Sequence, residues 1–102
     1  MKVDVKYDIF FSERAEKNLD QIIEYLFINW SAKVKIDFLN KLERIIKILA
    51  VNPLLFQEYS KKKKIRKCLI TKHNALYYRI TKNMVEIITI HDTRRDISKL
   101  KI

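Results

Sequence analysis

The sequence predicts an α+β fold in which a helical hairpin packs on one face of an antiparallel sheet, in the order β-α-α-β-β-β. Three features predict this class. An alternating segment opens the chain, two long segments follow with apolar residues every three or four positions, and three short apolar runs come last. The 102 residues suffice for one hydrophobic core, so we expect residues 1–102 to form a single domain.

The first half predicts a strand and two helices. Val3–Phe11 alternates apolar and charged residues, as a half-buried strand does. Ser12 can cap a first helix and Ser31 a second one, which Pro53 ends. The first helix carries an apolar stripe, namely Ala15, Leu19, Ile22, Ile23, Leu26 and Trp30. The second carries the row Val34, Phe38, Leu42, Ile45 and Leu49. We expect both stripes to be core.

The second half predicts three consecutive antiparallel strands, in the runs IRKCLI, NALYYRI and MVEIITIHD. A two-residue turn at Lys82 and Asn83, with a positive φ at the asparagine, sets the register of the last two. The predicted core-facing pairs are Ile80 with Val85, Tyr78 with Ile87, and Leu76 with Thr89.

The other face of this hairpin is predicted to carry Tyr77 beside Ile88, Ala75 beside Ile90, and the cross-strand pair Arg79 and Glu86. This face is too apolar to be an ordinary solvated surface, which makes it a candidate docking surface. The alternative is that the C-terminal tail or the first strand covers it.

Charge is concentrated in the second half of the chain. Residues 1–51 hold nine Lys or Arg and eight Asp or Glu, whereas residues 52–102 hold thirteen and four, out of a net charge of +10. This asymmetry favours a polyanionic partner, either nucleic acid or an acidic protein segment, over a face that serves only solubility. Five lysines could lie along a nucleic-acid backbone: Lys61, Lys62, Lys63, Lys64 and Lys67.

Several classes of site are not expected. One cysteine and two histidines are too few for a dedicated zinc site, and we expect Cys68 to be a small core residue. There is no glycine, hence no glycine-rich phosphate loop, and no cofactor motif is found. No apolar run has membrane-spanning length, so we expect a cytoplasmic protein without cofactor, metal or membrane partner.

Some polar residues could carry chemistry. Metal-independent RNA cleavage needs a base, an acid and cations on the phosphate, and His73, His91 and Arg94 are chemically competent for these roles. The alternative is that His73 is a surface turn residue and that His91 bonds a loop carbonyl. Arg94 and Arg95 follow the last strand and suit an anion or a carboxylate.

The order of these segments resembles the RelE/ParE superfamily of type II toxin-antitoxin toxins. The resemblance runs from about Val5 to Leu100, through FSERAEKNLDQIIEYL, ILAVNP, IRKCLI, HNALYYRI and IITIHDTRRD. It implies a β-α-α-β-β-β fold, a bacterial or archaeal cytoplasm, growth inhibition and plasmid stabilisation. It also implies a cognate antitoxin, acidic and partly disordered, that forms a hetero-oligomer with the toxin.

The superfamily has two branches. Ribosome-dependent endoribonucleases typically carry a late basic residue in the strand matching Lys67–Ile70, a basic residue matching Arg94 and a C-terminal Tyr or His-Tyr. This chain keeps Arg94, but it has Leu69 and Ile70 in the strand and ends in SKLKI. The chain is more similar to the ParE-type branch, which poisons DNA gyrase. The resemblance and the apolar face together give the predicted target- or antitoxin-binding residues Arg66, Tyr77, Tyr78, Arg79, Ile88, Arg94 and Arg95. The alternatives are a RelE-like ribonuclease acting on mRNA at the ribosome, or a non-toxic basic binding module.

Overall fold

The computed structural model describes residues 6–102, in which two helices pack on a five-stranded sheet. The elements are β1 (Asp8–Phe11), α1 (Glu13–Asn29), α2 (Ala32–Val51), β2 (Glu58–Ser60), β3 (Ile65–Thr71), β4 (Asn74–Thr81) and β5 (Met84–Asp92), followed by a 3₁₀ turn, Ile97–Lys99. The predicted α+β class and the order of helices and main strands are confirmed.

The sheet is mixed, which corrects the prediction of an antiparallel sheet. Its strand order is β1-β5-β4-β3-β2, and β1 pairs with β5 in parallel. β5 uses one edge for the hairpin with β4, so its other edge is left for β1. Within the described residues the first strand starts at Asp8, whereas Lys6 and Tyr7 were also predicted to belong to it; Val3 and Val5 lie outside the described residues. A short strand, β2, lies in the segment predicted to be a loop.

Both helices begin at the predicted caps. The hydroxyl of Ser12 accepts a hydrogen bond from the Ala15 amide at 3.0 Å, and that of Ser31 accepts one from the Val34 amide at 3.3 Å. These bonds satisfy amides that a helix start leaves without a partner. The second helix ends at Val51, just before the residue that precedes proline.

The apolar stripes of the helices cover one face of the sheet, here called the helix face. The buried residues of this core are Ala15, Phe38, Leu42, Ile45, Leu49, Cys68, Ile70, Leu76, Tyr78, Val85, Ile87 and Ile90. Trp30 was predicted to join the stripe, but its side chain is 61% exposed. It follows the last residue of α1 as the cap, beyond the part of the helix that packs on the sheet.

A β-bulge at Ile88 changes the register of the β4–β5 hairpin. Ile80 pairs with Val85, Tyr78 with Ile87, and Arg79 with Glu86, as predicted. Beyond the bulge the predicted pairs are wrong, and the observed ones are Tyr77 with Thr89, Leu76 with Ile90, and Ala75 with His91. The extra residue shifts every later pair by one, and so moves Ile90 to the helix face.

The hairpin turn has the predicted length but a different backbone. Thr81 pairs with Met84, so the loop is Lys82 and Asn83. The positive φ, 54°, belongs to Lys82 and not to the asparagine. A non-glycine residue with positive φ is uncommon, so the lysine carries a small conformational cost in a chain without glycine.

The opposite face of the sheet, here called the tail face, is covered by the C-terminal segment. Its buried cluster comprises Ile65, Ala75, Tyr77, Ile88 and Leu100, with Ile102 packed against it. The guanidinium of Arg14 donates hydrogen bonds to the carbonyls of Leu100 and Lys101, and the Lys63 ammonium donates one to that of Ile102. The sequence analysis left open whether this face is a docking surface or is covered by other parts of the chain. In the structure the C-terminal tail covers it.

Candidate functional site

A groove of about 1060 Å³ lies along α1. One wall is formed by α1 and the first half of α2. The other is formed by the β3–β4 turn, the end of β5 and the residues after it. Its volume is at the upper end of what small-molecule pockets have, and it is open to solvent. The groove therefore suits a segment of a macromolecule better than a small ligand.

Four predicted site residues line this groove, namely His73, His91, Arg94 and Arg95. They come from the β3–β4 turn, the end of β5 and the loop beyond it, three segments that the β4–β5 hairpin brings to one end of the sheet. These residues were predicted from the chemistry of their side chains, and the fold places them on one surface.

Arg94 is held by Asp92. Its Nε and Nη2 donate to the two carboxylate oxygens at 3.0 and 2.9 Å, and its backbone N–H donates to one of them at 2.9 Å. The guanidinium lowers the pKa of the Asp92 carboxyl to about 2, and the same contact raises the pKa of Arg94. A bidentate pair is geometrically specific, so Arg94 is a fixed and partly neutralised cation.

We expect Arg94→Ala to raise the pKa of Asp92 from about 2 toward its ordinary 3.8, because the main group that favours the carboxylate is lost. Since the folded-state pKa is depressed, the pair adds stability above about pH 4 and loses that contribution as the pH falls toward 2. Titration followed by carboxyl ¹³C NMR measures this. The matched control, Arg95→Ala, should move the pKa far less. A pKa near 3.8 in the unmodified protein would contradict the pairing.

His91 lies at the end of β5, half-buried and opposite Ala75. Its Nε2 atom is buried and has no hydrogen-bond partner among the described residues. His73 is half-buried in the β3–β4 turn, where its amide donates to the Thr71 hydroxyl at 3.1 Å and its carbonyl accepts from the Thr93 amide at 2.9 Å. The catalytic roles of both histidines stay predictions.

Two predicted contact residues are parts of the fold. Tyr78 is fully buried on the helix face, and its hydroxyl donates to the Pro53 carbonyl at 2.5 Å. Burial raises the pKa of this phenol to about 12. The guanidinium of Arg66 donates to the Phe56 carbonyl at 2.6 Å. Both side chains therefore hold the loop after α2 in place. Because Tyr78 is buried, a partner cannot contact its side chain.

The remaining predicted contact residues divide by exposure. Tyr77 is 1% and Ile88 9% exposed beneath the tail, so neither is available to a partner while the tail stays in place. Arg79 lies on the surface, and its Nε donates to the Glu86 carboxylate at 3.0 Å, as predicted. Arg95 is exposed, and no carboxylate partner is found for it within residues 6–102.

Of the five lysines predicted to follow a nucleic-acid backbone, four lie on the turn between β2 and β3 and the fifth, Lys67, lies in β3; none of them lines the groove. Lys61, Lys62, Lys63 and Lys64 are all exposed, and Lys64 has a positive φ of 58°. Lys67 is half-buried, with its ammonium 5.9 Å from the centre of the Tyr77 ring. The structure leaves their role as a prediction.

The buried thiol and the acidic groups offer no obvious chemistry. Cys68 is 4% exposed, and burial raises its pKa to about 12, so it is the core residue that was predicted. Between residues 6 and 102, no three His, Cys, Asp or Glu side chains converge as metal ligands. The groove is lined by both apolar side chains and cations, which suits it to binding a segment of a macromolecule.

Sequence reasoning missed several residues of this groove. Asn18 lies between Ala15 and Ile22 at helical spacing, which marks it as a polar residue on a buried stripe. Its Oδ1 accepts from the Thr89 hydroxyl at 2.6 Å and from the Ile90 amide at 3.1 Å, and so satisfies backbone next to the bulge. Other missed groove residues include Arg14, Gln21, Tyr25, Lys41 and Lys72, for which the sequence offers no comparable signal.

A family model for the ParE toxin of the type II toxin-antitoxin system parDE matches residues 9–97. The chain belongs to the ParE toxin family. The match extends from β1 to the first residue of the 3₁₀ turn after β5, and so includes all residues of the groove except Lys99 and most of the segments that form the tail face. It confirms the predicted superfamily, and it makes the chain a ParE-type toxin of a type II toxin-antitoxin system. A sequence search among curated proteins finds no match.

Solved structures share this ParE-family fold at low sequence identity. The chromosomal ParDE system of P. aeruginosa matches with a TM-score of 0.70 and 13% identity, over 85% of this chain and 96% of that one. The E. coli DinJ-YafQ complex gives 0.61 and 15%, over 88% and 96%. The YoeB dimer of Staphylococcus aureus gives 0.58 and 18%, over 84% and 95%. At these identities the likeness is one of fold.

Within the described residues, no helix is both long enough and apolar enough to cross a lipid bilayer.

Proposed function

We propose that this ParE-family chain arrests bacterial growth by poisoning DNA gyrase, and that a cognate antitoxin neutralises it. The observation that carries the proposal is the family match over residues 9–97. Gyrase poisoning is the activity that the resemblance to the ParE-type branch implies. The fold is shared with YafQ and YoeB as well as with ParDE, so the choice of target depends on the side chains.

The side chains favour the gyrase branch over ribonuclease activity. Leu69 is 55% exposed and Ile70 is buried where the ribonuclease branch typically has a basic residue. The Arg94 guanidinium is paired with the Asp92 carboxylate, and the Arg66 guanidinium donates hydrogen bonds to loop carbonyls. An active site for phosphodiester cleavage needs free cations and proton-transfer groups that converge on one phosphate.

An antitoxin partner is supported by charge and by the neighbours. A molecule of net charge +10 attracts an acidic segment. Two of the similar solved structures are toxin-antitoxin complexes, DinJ-YafQ from E. coli and YoeB-YefM from Staphylococcus aureus. We therefore propose a hetero-oligomer in the cytoplasm, in which exposed cations such as Arg79 and Arg95 meet antitoxin carboxylates.

A second candidate is a RelE-like endoribonuclease, and one observation favours it. His73, His91 and Arg94 line the same groove, and the Nε2 atom of His91 is buried without a partner among the described residues. In this role the His91 side chain would have to turn its Nε2 atom toward a bound nucleotide, because proton transfer needs the two groups within hydrogen-bond distance. The exposed lysines from Lys61 to Lys64 would then hold the RNA backbone.

Expression without an antitoxin should arrest growth of a bacterial host, because a toxin of this family acts when its partner is absent. The measurement is colony formation after induction, with soluble protein verified in the same cells. The matched control is Leu76→Asp, which puts a charge at a position that is 0% exposed and should unfold the protein and restore growth. Normal growth with folded, soluble protein would reject the toxin function in that host and favour a basic binding module.

A further inference from the structure

We propose that the turn between β2 and β3 binds the phosphate backbone of a nucleic-acid duplex. This turn, residues 61–64, is here called the lysine turn, and the ammonium groups that contact phosphates are those of Lys61, Lys62 and Lys64. Five lysines were predicted for such a role from the sequence, and their contacts in the structure select these three. The proposal goes beyond gyrase poisoning and does not depend on it.

The lysine turn is held in one conformation by hydrogen bonds. The amide of Lys63 donates to the Ser60 hydroxyl and the amide of Lys64 donates to the Lys61 carbonyl, each at 3.2 Å. Ser60 pairs with Ile65 at the base of the turn, and the side chain of Ile65 is 2% exposed. A surface that is ordered before binding loses less conformational entropy when it binds. The cations of the turn are therefore presented from a fixed backbone.

The lysine turn carries unpaired positive charge. The segment from residue 59 to residue 85 contains seven lysines, two arginines and no Asp or Glu. Lys61, Lys62 and Lys64 are exposed, and none of them has a carboxylate partner within residues 6–102. The acidic residue that precedes the turn, Glu58, lies opposite Arg66 in β3. Unpaired cations at a surface attract a polyanion, and they release its counterions when they bind its phosphates.

Two neighbouring lysines are used within the chain. The Lys63 ammonium donates to the Ile102 carbonyl, and the Lys67 ammonium lies 5.9 Å from the centre of the Tyr77 ring, within the range of a cation–π contact. Lys63 thereby connects the lysine turn to the C-terminal segment, where Lys101 adds another exposed cation. Lys63 and Lys67 therefore position the surface and are not counted among its phosphate contacts.

The shape of this surface favours a duplex over a single strand. The lysine turn is the tip of the β2–β3 hairpin and lies outside the groove. Proteins that bind single strands combine a basic groove with several aromatic rings on which bases stack. The ring next to the lysine turn is that of Tyr59, which is 42% exposed but packs edge-on against Tyr77. A protruding tip with three cations instead fits a duplex, which carries about one negative charge per 1.7 Å of its axis.

The composition of the turn favours phosphates over the carboxylates of an acidic protein. Residues 61–64 are all lysine, so they offer no hydrophobic residue to a partner, and the isoleucine that follows them is buried. Exposed ion pairs between side chains contribute little to affinity, so a protein partner also needs apolar contacts. Non-specific binding to nucleic acid, in contrast, draws nearly all of its affinity from the neutralisation of phosphates.

The test is the binding of the purified full chain to a fluorescently labelled DNA duplex of about 20 base pairs, measured by anisotropy between about 50 and 200 mM salt. We expect the logarithm of the association constant to fall against the logarithm of the salt concentration with a slope of about −3. Three phosphates are neutralised, and each contributes about −0.9 to the slope. Absence of binding at about 50 mM salt would overturn the proposal.

A charge-matched pair of variants locates the binding. The turn variant combines Lys61→Gln, Lys62→Gln and Lys64→Asn. The control variant replaces three exposed cations of α2 and the β4–β5 turn by Arg44→Gln, Lys47→Gln and Lys82→Asn. Asparagine is used at the two lysines that have a positive φ, because it tolerates that conformation. Each variant loses three positive charges at exposed positions, so both should fold, which circular dichroism verifies.

The turn variant should bind the duplex at least about tenfold more weakly at about 50 mM salt, and with a shallower salt dependence, because its phosphate contacts are lost. The control variant should change the affinity less than about threefold, since its substitutions lie outside the surface and act only through net charge. Equal losses in both variants would show that binding depends on net charge alone, and would overturn the proposal.

Competition with unlabelled probes identifies the partner. DNA and RNA duplexes of the same length share the phosphate backbone, and the one that displaces the labelled duplex at lower concentration is the source of that backbone; either result supports the proposal. A single strand that competes better than both duplexes would overturn it. Polyglutamate of equal charge that competes as well as the duplexes would also overturn it, because the partner would then be an acidic protein.

Discussion

The purified protein should leave mRNA intact in a translating extract, without cleavage phased to codons. The ribonuclease branch typically carries a basic residue late in the third strand, whereas this chain has Leu69 and Ile70 there. Removing one preorganised donor to a transition state costs roughly a hundred- to a thousandfold in rate, so the missing cation predicts a large loss.

Primer extension on a reporter mRNA measures this, with a ribonuclease-branch toxin as the positive control in the same extract. Codon-phased cleavage that is abolished by His91→Ala or Arg94→Ala would contradict the expectation. It would show that the buried Nε2 of His91 and the guanidinium next to Asp92 serve catalysis. The protein would then move to the enzyme class.

Asn18→Ala should lower the free energy of unfolding by more than is usual when a polar side chain of a helix is replaced by alanine. The substitution leaves the Thr89 hydroxyl and the Ile90 amide without their acceptor, and Thr89 is only 2% exposed. Each orphaned buried group costs roughly 1–3 kcal/mol of unfolding free energy. Urea unfolding followed by circular dichroism measures the change.

Two variants control this experiment. Asn18→Asp keeps an acceptor oxygen at the same place and should retain more stability than the alanine variant. Asn40→Ala changes an exposed asparagine of α2, and since alanine is the better helix former it should leave stability within about 0.5 kcal/mol. Equal stability of all three variants would show that the contacts of Asn18 do not hold the bulge.

Periodicity and caps predicted most of the fold because they are local signals. Ser12 and Ser31 cap the helices as expected, and the buried rows follow the spacing of three and four. The bulge at Ile88 could not be predicted in this way. It depends on acceptors and donors from α1, some 70 residues away in sequence, which satisfy the backbone that the bulge leaves unpaired. The parallel pairing of β1 is likewise a long-range contact.

The candidate site was predictable in part. Chemistry alone picked out His73, His91, Arg94 and Arg95, which share the groove. The internal use of other polar groups depends on tertiary contacts: Tyr78 has a phenol that looks available in sequence but bonds a carbonyl 25 residues away. The half-apolar sheet face was predicted from the alternation of residues, which cannot reveal that Leu100 and Ile102 of the C-terminal segment pack over it.

The most direct test of the central claim is a supercoiling assay with DNA gyrase, relaxed plasmid, ATP and the purified chain. The account predicts that supercoiling falls as the protein is added and that linear plasmid accumulates, because a poison traps the enzyme with its DNA cut. A lysine polymer of equal charge concentration controls for coating of the DNA by a basic protein. Full supercoiling with no linear product, at protein concentrations in excess of gyrase, would contradict the account.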